Sequence, residues 1–353
     1  MKYIKNSLFL DLLFSLFLLI NCGEYDNSIS DDNINNNPSL IFDEDNDGVA
    51  DTDDACTDTP EGETADSIGC SDSQKDPDGD GVTDDLDICA ATPEGVAVDS
   101  EGCSNSQKAT ISGYDFNFLN VSAPPYGGTI FITGDIITSQ DTSVFDSISY
   151  IGTDLRTMFD RRNGGDWTTI EPHIFPATFF DGPSIEIQIN PEFTLEEAQI
   201  EARKYGFLVG QLALSLRKDV ETMWIHKGVE GYGGGNNNIL IHTGMTASYE
   251  QHETGNITEE TLIHEAAHTS IDVYCYNDSD WFVAVENDEE RFISTYASDY
   301  PTREDISELF PLYIAVKYFP ERLDQTMIDN TLSTSLNRIL YFDQQDYDMT
   351  LYQ

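Results

Sequence analysis

The sequence predicts an α+β protein behind a short acidic repeat. Between residues 184 and 271, segments of period two alternate with segments of helical period, and between residues 43 and 103 an acidic, cysteine-bearing unit occurs twice. The elements follow in chain order.

Two lysines lie within residues 1–5, and after Ser7 the run to residue 20 is apolar except for Asp11 and Ser15, leading to Asn21-Cys22-Gly23. That run is short for a bilayer-spanning helix of ~20 residues. Residues 1–21 therefore read as a signal peptide, cleaved before Cys22 with lipid on the Cys22 sulfur. The Leu19-Ile20-Asn21-Cys22 stretch resembles a bacterial lipoprotein box, with Asn21 where that box has Gly, Ala or Ser. The resemblance implies a lipoprotein of the bacterial cell envelope, at the outer membrane or cell surface, and a secreted protein if the lipid is absent. Residues 22–40, rich in Asn, Ser and Asp, carry little that could be buried and read as a flexible tether.

The chain holds 65 acidic and 17 basic residues, a formal charge of −48. Self-repulsion on that scale calls for bound cations or solvated acids, and sets the chain against nucleic acid as a partner. Much of the acid falls in the repeat. Asp43, Asp45, Asp47, Gly48, Val49 and Asp51 align with Asp76, Asp78, Asp80, Gly81, Val82 and Asp84 at a constant offset of 33; Cys56 aligns with Cys89, Thr59-Pro60-Glu61-Gly62 with Thr92-Pro93-Glu94-Gly95, and Gly69-Cys70 with Gly102-Cys103. Oxygen ligands at loop positions 1, 3, 5, 9 and 12, a carbonyl at 7 and Gly at 6 are what a calcium loop requires. The expected calcium ligands are Asp43, Asp45, Asp47, the Val49 carbonyl, Asp51 and Asp54, then Asp76, Asp78, Asp80, the Val82 carbonyl, Asp84 and Asp87. No amphipathic helices flank the loops, which argues against an EF-hand. With its cysteine spacing, the segment over residues 43–103 resembles thrombospondin type 3 repeats. That resemblance implies a calcium-organised spacer over residues 41–108, stapled by the disulfides Cys56–Cys70 and Cys89–Cys103. Cys275 is left over and is expected as a buried free thiol.

From residue 109 to residue 353 aromatic and branched residues become frequent, and the length suits one globular domain. Residues 184–189 alternate apolar and polar and predict a half-buried strand. Thr194 caps a helix expected to run through Ala198, Ala202, Tyr205, Leu208, Leu212 and Leu216 to Lys218. Residues 220–226 predict a second strand, residues 231–235 a glycine-rich turn, and residues 239–243 a third strand, expected at the sheet edge. Asn256, Thr258, Glu259 and Glu260 start the next helix, which carries His264-Glu265-x-x-His268.

Histidines at i and i+4 share one helix face and can hold one zinc ion. Glu265 lies beside them, placed as general base for a zinc-bound water whose pKa falls towards ~7. Protein or peptide is the expected substrate. His173, His226, His242 and His252 have no such spacing and read as structural or surface residues. A hydrolytic site needs a third protein ligand, and two clusters offer one: Glu286, Asp288, Glu289 and Glu290, or Glu304 and Glu308. The run from Phe292 through Tyr296-Ala297 to Pro301, Glu304, Asp305, Ser307 and Glu308 resembles lethal-factor-type zinc proteases and related bacterial secreted HExxH proteins over residues 258–318, with Ser307 where that family often has Ala. The resemblance implies Glu304 as third ligand, Glu308 orienting a ligating histidine, and Tyr296 on the oxyanion. It further implies a zincin-like α+β domain: a twisted sheet, a backing helix, the active-site helix under the sheet edge, and a mostly helical C-terminal part. The alternatives are a non-catalytic calcium-binding adhesion or spacer lipoprotein, in which Glu265 would have no role, and a zinc hydrolase of non-peptide amides or esters.

Overall fold

The computed structural model describes residues 42–129 and 134–353. The expected signal peptide, Cys22 and tether lie outside the described residues. Chain contacts divide the protein into two compact units, Met1–Ser71 and Asp72–Gln353. The second repeat is continuous with the larger unit because helix α1 (Asn105–Ser112) grows out of its tail, capped by Ser104 and Gln107. Lys108 Nζ donates to Asn337 Oδ1 at 2.7 Å, tying that helix to the C-terminal part.

The two repeats share a set of hydrogen bonds. The Thr59 and Thr92 N–H groups donate to Asp45 and Asp78 at 2.7 Å, and their hydroxyls donate to the Gly69 and Gly102 carbonyls at 2.6 and 2.8 Å. Cys56–Cys70 and Cys89–Cys103 are disulfides, as expected. Cys275 is free and buried.

The larger unit contains strands β1 (Phe145–Ile148), β2 (Gly152–Thr153), β3 (Arg156–Asp160), β4 (Asp166–Ile170), β5 (His173–Phe179), β6 (Ile185–Ile189), β7 (Thr222–His226), β8 (Gly233–Gly235) and β9 (Asn238–His242). After α1 come helices α2 (Leu195–Val209), α3 (Leu214–Arg217), α4 (Thr243–Glu250), α5 (Thr258–Ser270), α6 (Asp272–Cys275), α7 (Ser279–Asn287), α8 (Thr295–Asp299), α9 (Asp305–Tyr318) and α10 (Gln325–Gln344). The main sheet runs β1-β5-β6-β7-β9-β8 with β2 also on β5, and β3–β4 form a separate hairpin. β6, β7 and β9 are parallel, and β8 returns antiparallel on β9. Ile187, Met223, Ile225, Ile239 and Ile241 pack with α2 and α5 residues in the main core. Among the described residues no helix is long and apolar enough to cross a membrane.

Two expectations are corrected. The helix from Thr194 has its predicted capping box but stops at Val209, short of Lys218. The Gly210 carbonyl accepts the Val144 N–H at 2.8 Å and Gln211 donates to the Thr138 and Asp141 carbonyls, so tertiary bonds claim the chain before α3 restarts it. The third strand is not the edge either. β9 lies between β7 and β8, and the edge is the triglycine β8, part of the segment expected as a turn. Asn236 and Asn237, both at positive φ (52° and 57°), supply the two-residue hairpin turn that folds it back.

Candidate metal centre

Helix α5 is buried along almost its whole length. Its start is fixed by Asn256 Oδ1, which accepts from the Thr258 N–H at 3.1 Å and hydroxyl at 2.7 Å. The first-turn acids are buried as well. Glu260 Oε1 accepts the Ile136 and Ile137 N–H groups at 2.6 and 3.0 Å, and burial pushes its carboxyl up to about 8.

One turn on, His264 and His268 bring their Nε2 atoms to 3.2 Å. Glu304 Oε2 completes a triangle, 3.5 Å from the first nitrogen and 3.3 Å from the second. Three donors on a tetrahedral zinc with bonds of about 2.0–2.1 Å stand about 3.3–3.4 Å apart. The observed spacings match that size, and two imidazoles with a carboxylate are a donor set zinc accepts. Glu304 is buried, and the facing imidazoles overcome the burial penalty to hold its carboxyl far below the usual range. Burial pulls His268 down, but Asp272 and Glu304 outweigh it and raise the ring to about 10.

A carboxylate stands behind each imidazole, and only the one behind His268 is at hydrogen-bond distance. Glu308 Oε1 lies 3.6 Å from His264 Nδ1, and its Oε2 accepts the Ser294 hydroxyl at 2.6 Å. Asp272 Oδ2 lies 2.7 Å from His268 Nδ1. The carboxylate behind His268 fixes that ring with its Nε2 turned to the shared point. Glu304 sits at the N-cap of α9, and its neighbour Asp305 is fully buried against Arg338, Nη1 to Oδ1 at 2.5 Å. Arg338 Nε also reaches Asp288 at 2.9 Å. Asp288, in the other candidate ligand cluster, therefore belongs to this buried ion network, while Glu286, Glu289 and Glu290 are exposed.

Glu265, 9 % exposed, lines the same cleft as the three donors. The cleft holds about 510 Å³ and is also walled by Thr129, Arg161, Tyr249, Tyr296 and Arg303. Tyr296 donates its hydroxyl to Glu304 Oε1 at 3.0 Å, and Arg303 Nε donates to the same oxygen at 2.7 Å. The edge strand forms another wall. A Cβ on Gly234 would stand 1.9 Å from the Glu265 carbonyl oxygen, so the backbone of β8 touches the backbone of α5 at the expected base.

Sequence reasoning missed Asp272, Ser294, Arg303 and Arg161. Only Asp272 left a local signal, four positions after His268, the spacing that joins neighbouring helical side chains. His226 and His242 stack inside the sheet layer at 5.3 Å; His173 Nε2 lies 3.0 Å from the Phe193 carbonyl, and His252 pairs with Thr254. Burial pushes the Cys275 thiol up to about 11.

In the repeats, carboxylate oxygens of Asp43, Asp45 and Asp47 come within 4.8 Å of one another, as do those of Asp76, Asp78 and Asp80. Gly48 and Gly81 take positive φ (95° and 97°), as the sharp turn at loop position 6 requires. Buried oxygens of Asp43, Asp47, Asp78 and Asp80 have no hydrogen-bond partner. The other expected ligands stand outside these triads: Asp51 accepts the Glu44 N–H, and Asp54 and Asp87 accept from Cys56 and Cys89 and pack against Gly69 and Gly102. Val49 and Val82 give their N–H groups to Asp47 and Asp80, and Asp84 is tied through its N–H to Lys75. Comparison with protein families, curated proteins and solved structures finds no match to this chain.

Proposed function

We propose that this chain is a zinc-dependent metallopeptidase with a zincin-like catalytic domain, carried on calcium-organised repeats of the thrombospondin type 3 kind and anchored to a bacterial envelope through lipid on Cys22. The observation that carries the reading is the 3.2–3.5 Å triangle of His264, His268 and Glu304 opening onto a cleft that Glu265 lines. His264, His268 and Glu304 would hold the zinc ion, which would supply Lewis acidity towards a peptide carbonyl and a water. Glu265 takes the proton of that water and passes it to the leaving nitrogen. Glu308 and Asp272 keep the two rings in register. Tyr296 releases Glu304 Oε1 and donates to the developing oxyanion. The unpartnered carboxylate oxygens of the two aspartate triads support calcium in each repeat.

A peptide substrate is favoured over a small amide or ester because the cleft is bounded by a sheet edge. An extended chain can lie against β8 through its main chain, which holds many sequences without reading them. The test compares casein digestion and bound zinc in the wild type and Glu265→Gln. The proposal expects zinc in both and cleavage only in the wild type. Equal cleavage by the two proteins removes Glu265 as base, and a wild type without zinc removes the metallopeptidase.

A further inference from the structure

Beyond the metal cleft, a second cavity of about 330 Å³ is lined by Phe159, Trp167, Trp224 and Leu240 together with Arg161 and the glycines of β8. Arg161, Gly234 and Gly235 belong to both cavities, so the two adjoin across the edge strand. They lie on opposite faces of the sheet. Trp224 and Leu240 are register partners on β7 and β9, alternating with Met223, Ile225, Ile239 and Ile241, which face the core. Gly234 abuts α5 on the metal side, whereas a Cβ on Gly233 would stand 2.7 Å from Arg161 Nη2 on the other.

Three aromatic rings shape this second cavity. Trp167, on the β3–β4 hairpin, meets Trp224 edge-on at 5.3 Å and Phe159 at 5.4 Å, yet it stays 55 % exposed. An indole left that open beside a sheet edge offers unused apolar area and a ring face. Arg161 forms the partition. Its Nη1 is gripped by the Tyr232 carbonyl and donates to the Gly231 carbonyl at 3.3 Å, and no acidic side chain pairs with it among the described residues. The guanidinium is thus fixed by backbone at the border of the two cavities. β8 presents no side chain of its own, so nothing on the edge strand obstructs either face.

From this we infer that the aromatic cavity is a specificity pocket for a large aromatic side chain of a substrate peptide lying along β8. The inference rests on the peptidase reading for its substrate. Side chains of an extended strand alternate between faces. A peptide paired with β8 therefore sends one set of side chains over α5 and the metal donors, and the other set over the β3–β4 hairpin. The residue reaching the hairpin face beside the scissile bond meets Trp167, Trp224 and Phe159, where offset or edge-on ring packing rewards Phe, Tyr or Trp above Ala or an acid.

The experiment uses internally quenched decapeptide libraries, each with one position fixed as Phe or Ala, on the full chain with zinc. At one fixed position the wild type should prefer Phe by about tenfold or more in kcat/KM. In Trp167→Ala that ratio should fall close to one, and Trp167→Phe should restore most of it; melting curves check that both variants fold. A wild type that cleaves without preferring aromatic residues, or a ratio unmoved by Trp167→Ala, overturns the pocket and leaves the peptidase reading standing. A wild type that cleaves nothing sinks that reading instead. The same libraries are then passed over immobilised Glu265→Gln and the retained peptides read by mass spectrometry: aromatic enrichment lost in Glu265→Gln/Trp167→Ala upholds the pocket, and no enrichment overturns it.

Discussion

Asp272 gives the sharpest test of how the metal donors are held. Its Oδ2 lies 2.7 Å from His268 Nδ1, and the two side chains are only 13 % and 14 % exposed, so solvent screens the contact little. A hydrogen bond between a buried carboxylate and an imidazole contributes about 1.5–3 kcal/mol, a neutral one about 0.5–1.5 kcal/mol. Asp272→Asn keeps an acceptor oxygen but removes the charge, a loss of about 1–1.5 kcal/mol, or roughly tenfold in zinc affinity at 1.4 kcal/mol per decade. Asp272→Ala removes the acceptor altogether and should weaken zinc by about a hundredfold, the upper end for the partner of a metal-ligating histidine. Competition against a fluorescent zinc chelator measures both, with the exposed Asp280→Asn as the control. The graded order of wild type, Asn and Ala is the signature. Wild-type affinity in folded Asp272→Ala would refute the idea that this carboxylate orients His268.

Gly234→Ala should cost about 1–3 kcal/mol of stability and most of the proteolytic activity, because its Cβ would stand 1.9 Å from the Glu265 carbonyl oxygen and backbone has to move; denaturant melts and casein digestion read both. Glu260 titrates at about 8 in the folded protein because of burial, against an ordinary value of 4.5. Between those values the folded state binds more protons than the unfolded one, so stability falls as pH rises through that window. Glu260→Gln should flatten that fall, as thermal melts between about pH 5 and pH 8 would record. For the repeats, calcium titrated into the chelator-treated protein should bind in two events and slow trypsin cleavage within residues 42–103. Asp78→Asn should remove one event, and two unchanged events would exclude Asp78 as a ligand.

How much of this was readable from the chain differs by feature. His264, Glu265 and His268 were legible because helix spacing alone puts them on adjoining faces, and the acids and asparagine before them mark the helix start. Glu304 was not. Its distance from the histidines along the chain carries no geometric information, and its place depends on Asp305 being drawn inward by Arg338, a contact between α9 and α10 that no local pattern encodes. The β8 edge was invisible for a different reason: three glycines lack β propensity, and their extended form comes from pairing with β9 and lying on α5. The helix from Thr194 was overrun since Leu212 and Leu216 keep the helical period across the break at Gly210. The repeats were the most legible part, as identical residues at a fixed offset make identical hydrogen bonds.

The central claim is that one zinc ion sits between His264, His268 and Glu304, and anomalous diffraction at the zinc edge from crystals grown with zinc tests it most directly. The account predicts a single strong peak in the cleft that Glu265 lines, about 2.0–2.2 Å from both Nε2 atoms and Glu304 Oε2. A peak elsewhere, or none within bonding distance of these three atoms, would contradict it.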